Sequence, residues 1–265
     1  MESMKKVRGV VQVIVLLAWG ACLAGCLRPS GQDVELTLQL TPEGTASAET
    51  ALAETRETLV ERLEESGFRH PVVETAGRDR LAVRISGVED PARVRRLIEA
   101  NAVFELRLVR SPALESEQAV LDHFEGQLPP DLEILSEEVH GENGQVKTWY
   151  HAVEKRPVIT GRDLRSARPG VGSLGEPIVE FRLKPDAAAV FSEVTGANIG
   201  SALAIVFDRR VISAPRINAR IGEVGLIEGG FTQEEAHDLV VMLRSGPLPA
   251  RVTVVDERIG GRSGG

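Results

Sequence analysis

Cysteine is almost missing from this chain: among 265 residues only Cys22 and Cys26 occur, both near the N-terminus. Beyond residue 26 there is therefore no disulfide and no thiolate for metal binding or nucleophilic attack, and stability has to come from an apolar core. With 42 % apolar residues the chain is long enough to bury one. A surplus of positive charge is missing as well. Lys and Arg total 31 against 39 Asp and Glu, a formal net charge of −8, and the basic residues Lys5, Lys6 and Arg8 at the start leave the rest more acidic still. That balance argues against a nucleic-acid partner. Lysine is scarce beside arginine, which reads as genomic base composition and carries no functional argument. His70, His123, His140, His151 and His237 lack the paired spacing of metal ligands, so each reads as a surface or loop histidine.

Catalytic motifs are present in letters only. Gly170-Val171-Gly172-Ser173-Leu174-Gly175 spells a dinucleotide fingerprint, but it precedes a strand instead of opening a helix. Gly261-Arg262-Ser263-Gly264-Gly265 spells a nucleophile elbow, but it stands at the end of the chain with no helix after it and no partner histidine. The acids are spread along helices as solvated faces. No nucleophile, base and orienting group can be assembled, so neither an enzyme nor a cofactor is expected.

The N-terminus reads as a targeting segment. Lys5, Lys6 and Arg8 form a charged region, Val10 to Ala18 a short apolar core, and Leu23-Ala24-Gly25-Cys26 a run of small residues ending in cysteine. That tetrad resembles a bacterial lipobox, which implies cleavage before Cys26 and acylation of its thiol and amine. The competing reading is a transmembrane anchor. The stretch from Gly9 to Leu27 is interrupted by Gln12, Gly20 and Gly25, which makes it marginal for a bilayer core of about 30 Å. Several acyl chains, at about 0.8 kcal/mol per buried CH₂, would hold the protein stably on a membrane.

After a short tether, Val34, Leu36, Leu38 and Leu40 alternate as a half-buried strand. Ala48, Leu52, Thr55, Leu59 and Leu63 make one helical stripe, stopped by Gly67. Val72 to Thr75 and Leu81 to Ile85 are strands, Asp90 and Pro91 open a second helix with Val94, Leu97 and Ile98 inward, and Val103 to Val109 reads as a strand closing the unit. Strand, helix, strand, strand, helix, strand is the ferredoxin-like order, so the fold class is α+β. Farther on, Glu133 to His140 and Val146 to Val153 flank Asn143-Gly144 as a hairpin, with Trp149 and Tyr150 on its second arm. Those aromatics either contact a polypeptide or pack a core, the second being their commoner fate.

Ala202 to Phe207 is an unbroken apolar run that suits a strand covered on both faces. Asp208, Arg209 and Arg210 supply a turn, and Val211 to Ser213 a short return strand before Pro215. Upstream, Ile178 to Leu183 is a strand, and Pro185 opens a helix with Ala187, Val190, Phe191 and Val194 on its inner face. Downstream, Thr232 and Glu235 form a capping box, Ala236, Leu239, Val240 and Leu243 a buried stripe, Gly246 the stop, and Arg251 to Glu257 a last strand.

The stretches VEFRLKPDAAAVF, NIGSALAIVFDRRVISAP, GGFTQEEAHDLVVMLRSGPLPA and VVDERIGG, with residues 56–109 before them, resemble the first periplasmic domain of the SecD protein-export family. The resemblance implies a base (33–109), an inserted α+β head (110–249) and a strand returning to the base (250–259), between a leader (1–25) with tether (26–32) and a tail (260–265). The Gly-Gly strand motif of that family is absent from Asp33 to Leu40. By the same resemblance the chain is expected to be a non-enzymatic module in the bacterial envelope, lipid-anchored through Cys26 and facing the periplasm. Its expected partners are exported or unfolded polypeptides and Sec translocon components, and the binding residues in the head are left unassigned. The alternative is a structural envelope lipoprotein with one dedicated protein partner. Pro112 on the way into the head, and Gly246, Pro247 and Pro249 on the way out, are candidate hinge residues, because prolines fix φ while glycine stays free. They serve equally as a helix stop and strand ends.

Overall fold

The computed structural model of the chain describes residues 31–42, 47–141 and 144–260; the leader, Cys26 and the last five residues lie outside them. The chain opens with β1 (Gln32–Pro42), α1 (Ala48–Glu65), β2 (Val72–Thr75), β3 (Arg80–Val88) and α2 (Pro91–Glu99). Val34, Leu36, Leu38 and Leu40 of β1 all point into one core, as their alternation predicts. In α1 the Ser47 hydroxyl caps the helix by accepting from the Thr50 amide at 3.1 Å. Its buried face is Ala51, Leu52, Thr55, Leu59, Arg62 and Leu63, so the stripe carries an arginine that periodicity in apolar letters passes over. Val94, Leu97 and Ile98 of α2 face inward.

The head follows: β4 (Phe104–Leu108), α3 (Glu117–His123), β5 (Leu132–His140), β6 (Val146–Glu154), β7 (Ile159–Thr160), β8 (Leu164–Val171), β9 (Pro177–Leu183), α4 (Pro185–Ala197), β10 (Leu203–Phe207), β11 (Arg210–Ser213), β12 (Val224–Ile227) and α5 (Gln233–Ser245). The chain then returns through β13 (Ala250–Gly260).

The first sheet is antiparallel in the order β13-β1-β3-β2, the ferredoxin-like order, with β13 rather than the expected Val103–Val109 strand as its fourth member. The pattern of β4 marks a buried strand but not its sheet. Its partners decide that: Leu108, Leu106 and Phe104 lie opposite Leu203, Ile205 and Phe207 of β10. The place beside β1 is taken by β13, from Asp33 opposite Gly260 to Pro42 opposite Ala250, with one irregularity at Thr37/Leu38.

The second sheet runs β6-β5-β11-β10-β4-β7. A bridge from Val109 to Val153 joins the end of β4 back to β6, so five of these strands close on themselves around Val109, Leu135, Val153, Ala204, Val206 and Val211. The outer side of β4 and β10 packs through Phe104, Leu106, Leu203 and Ile205 against the third sheet, β12-β9-β8, and against α4 and α5. Phe104 meets Phe181 edge-on at 5.8 Å. The run Ala202 to Phe207 is thus covered on both faces, and β11 is short and bulged against β10.

One expectation shifts. Val190 of α4 is 52 % exposed, and the inner face is turned toward Phe191 and Thr195, whose hydroxyl accepts from the Ile221 amide at 2.9 Å. The glycine-rich run 170–175 precedes strand β9 as expected: Gly170 and Val171 end β8, and Gly172–Gly175 lie in the turn before β9, where Gly175 has φ +89°. Tyr150 packs beside Val120 and Leu132 in a satellite core, while Trp149 is covered by the Lys147 ammonium at 3.9 Å.

Candidate polypeptide-binding groove and the base–head junction

The two crossings between base and head are Ala100–Val103, after α2, and Ser245–Pro249, before β13. Leu248 donates its amide to Asn101 O at 3.0 Å, which ties one crossing to the other. Ala102, buried and at φ +63°, and Val103 donate their amides to the Asp208 carboxylate at 3.1 and 2.9 Å. Asp208 and Arg209 both have positive φ, the backbone a two-residue hairpin turn requires, and neither is glycine. The turn thus holds an acid where it grips the crossing.

Arg62 does the same from inside the base. Its guanidinium donates to Leu97 O (3.0 Å), Ala100 O (2.6 Å), Gly246 O (3.1 Å) and Ser245 Oγ (3.2 Å), and the residue has no exposed surface. Burial pulls its pKa down to about 10, with the Asp208 charge opposing the shift, so it remains a cation at neutral pH. Arg93 forks onto both oxygens of Asp238 at 2.7 Å, reaches Ser66 O at 2.8 Å and covers the Phe68 ring at 5.0 Å. Its pKa is raised, chiefly by the hydrogen bonds to Asp238. Met242 of α5 touches both the base core and the head core.

Of the candidate hinge residues, Gly246, Pro247 and Pro249 lie at the returning crossing. Gly246 has φ +68°, and its amide closes α5 onto Met242 O at 3.0 Å. Pro112 does not join them. It sits in the segment that runs beside β6, where Arg110 donates to Ala152 O at 2.8 Å and Leu114 pairs with Tyr150. Phe104–Leu108 before it already pairs with β10 in the second sheet, so Pro112 lies beyond the point where the chain leaves the first sheet.

The head carries a groove of 720 Å³ on the side that faces α2. Phe207, Ile212, Phe231 and Val139 are its large apolar lining residues, and Arg96 of α2 lines it as well. Gly229 is required beneath it, because a Cβ there would stand 2.7 Å from the Phe231 ring and 3.0 Å from Ile212. The charged lining groups are partnered: Glu138 with Arg210, Glu137 with His151 at 2.6 Å, Arg96 with Asp90 at 3.2 Å, and Glu235 with the Thr232 amide at 2.8 Å. β5 and β11 share one bridge, Val211 to Glu137.

His151 is a correction to the surface reading of the histidines: it is buried inside the closed strands against Glu137. Alternation along β6 could have placed it inward, since Val153 two residues on is fully buried. Arg107 is likewise buried, clamped by Glu105 and Glu133. Among the described residues no group of His, Cys, Asp and Glu could hold a metal ion, and no helix is long and apolar enough to cross a membrane.

Comparison with known proteins gives a consistent family. Residues 52–111 match the N-terminal part of the P1 domain of protein translocase subunit SecDF, and residues 134–250 match the SecDF P1 head subdomain. Protein translocase subunit SecD of Aquifex aeolicus is 40 % identical over 207 residues, 78 % of this chain and 39 % of that protein. SecD of Magnetococcus marinus is 34 % identical over 204 residues, 76 % of this chain and 38 % of that protein. The chain therefore spans about two fifths of the length of these relatives. Among solved structures, SecDF in a super-membrane-facing form aligns with TM-score 0.61 and 29 % identity over 87 % of this chain and 30 % of its own. A structure of SecDF, a membrane component that enhances protein export, aligns with TM-score 0.56 and 29 % identity over 84 % of this chain and 98 % of its own. By these matches, residues 52–111 and 134–250 are similar to the P1 domain of SecD and SecDF proteins.

Proposed function

We propose that this chain is a non-enzymatic module of protein export, held on a membrane through a lipid on Cys26, whose head takes hold of exported or unfolded polypeptide on the periplasmic side. The observation that carries the reading is the apolar groove built around Phe207, Ile212 and Phe231 on a head that matches the SecDF P1 head. A concave apolar surface whose charges are already partnered suits a polypeptide that exposes apolar side chains.

The base supports this as a spacer. Gln32 and Gly260 sit at one end of the first sheet, and Pro42 opposite Ala250 sits at the other, beside both crossings. At about 3.3 Å per residue, a strand of this length separates the tethered end from the head by roughly 35 Å. A translocon component beside such a base is the partner the family implies.

Photocrosslinking in cells tests the reading. A probe at position 212 in the groove should trap many secretory polypeptides, and a probe at the exposed position 226 of β12 should trap far fewer. One stoichiometric adduct at position 212, with no spread of clients, would replace the export reading with that of a structural lipoprotein serving a single partner.

A further inference from the structure

The groove shows more than an apolar lining. β5 continues from Glu137 through Glu138 and Val139 to His140, and β6 pairs with it along its whole length on one side. On the other side its pairing is one bridge, to Val211. Past that bridge the flank of β5 borders the groove, as does the end of β11 at Ile212 and Ser213. The Ser213 hydroxyl is buried there and has no hydrogen-bond partner.

A strand flank of this kind presents backbone donors and acceptors at regular spacing, and among macromolecules an extended polypeptide matches that spacing. The lining specifies the rest. Phe207, Ile212 and Phe231 line the same groove, and a strand added there would turn alternate side chains toward it. The charged lining groups have partners of their own, which leaves no counter-ion for a charge carried into the groove.

We infer that the groove binds an extended, uncharged polypeptide segment by strand addition to the free flank of β5, with large apolar side chains at alternate positions resting on Phe207, Ile212 and Phe231. This rests on the proposed capture of polypeptide by the head and specifies its chemistry.

Fluorescence anisotropy with the full chain tests it, using a labelled eight-residue peptide that alternates Ile or Phe with Ser or Thr. Three peptides are compared: the parent, one with N-methylated amides along the edge that pairs, and one with Asp at two of the apolar positions. N-methylation and Asp should each weaken binding at least tenfold, and the parent should slow amide exchange at residues 138–140 in the unmodified protein. Ile212→Glu should abolish binding, while Leu226→Glu, with equal melting behaviour, should not. Equal affinity of the N-methylated peptide would overturn strand addition and leave an apolar groove. Binding of a full-length unfolded chain without binding of the parent peptide would overturn this mode and leave polypeptide capture standing. If neither binds, capture itself fails.

Discussion

Arg62 offers the most direct test of how head and base are held together. Arg62→Ala removes four hydrogen bonds, to Leu97 O, Ala100 O, Gly246 O and Ser245 Oγ, across two crossings. Hydrogen bonds to a charged group contribute about 1.5–3 kcal/mol each, which sums to roughly 6–12 kcal/mol before burial of the cation is counted. The pKa of about 10 marks that burial as unfavourable, and a shift of this order corresponds to ~3 kcal/mol. The surplus is favourable, and disruption of comparable buried charge networks costs about 3–5 kcal/mol. We therefore expect Arg62→Ala to lose about 3–5 kcal/mol in urea unfolding followed by circular dichroism. Arg62→Met keeps the volume and loses somewhat less; Arg62→Lys, with one donor centre in place of a fork, loses about half. Spin labels at the exposed positions 57 on α1 and 190 on α4 provide a second readout: one narrow distance distribution in the wild type, broadened in Arg62→Ala. If Arg62→Met is as stable as the wild type, burial of the charge outweighs its bonds and Arg62 is no brace. If the wild type already shows two distances, the crossings flex as a hinge around Gly246, Pro247 and Pro249 despite these ties.

Further outcomes are open to measurement. Asp208→Ala strips the acceptor from the Ala102 and Val103 amides and should destabilise by about 1–3 kcal/mol in the same assay; a change under 0.5 kcal/mol would mean water replaces the carboxylate. Burial pushes the Glu133 carboxyl up, but hydrogen bonds from Arg107 and Arg209 outweigh it and leave the pKa lowered. A depressed carboxylate contributes stability above its unfolded pKa of about 4.3 and loses it as pH falls through the lower folded value. Glu133→Gln should therefore flatten the acid limb of the melting profile below about pH 4.5, and an unchanged limb would show that the pair carries no net stability. Cys26→Ala should move the protein from the detergent to the aqueous phase on partitioning; partitioning like the wild type would mean a membrane helix in place of a lipid. Truncation after Ser245 removes Leu248, Ala250 and Val252 from the base core and the partner of β1, so cooperative unfolding should be lost in calorimetry. Retention of the wild-type transition would show that the base folds without β13.

Much of this architecture was legible in the letters because its causes act over a few residues. The capping box of Thr232 and Glu235, the stripe of α5 and its Gly246 stop are local, and each stands where its pattern places it. The run Ala202–Phe207 foretells burial on both faces through its apolar continuity, and the Asn143-Gly144 pair foretells the β5–β6 hairpin. Strand partnership has no such local cause. β4 and β13 both read as strands, and only their partners far off in the chain, β10 for one and β1 for the other, assign them to different sheets. The same holds for buried charge. Arg62, His151 and Arg107 read as surface residues because charge favours water, and they are inside because distant acceptors meet them there. The groove is the fullest case: residues 137–139, 207–213 and 229–231 converge on it from separate parts of the chain. Periodicity sets which way each side chain turns, but the tertiary structure alone decides what it turns toward, because sheet pairing and core packing are contacts between residues that no local pattern links.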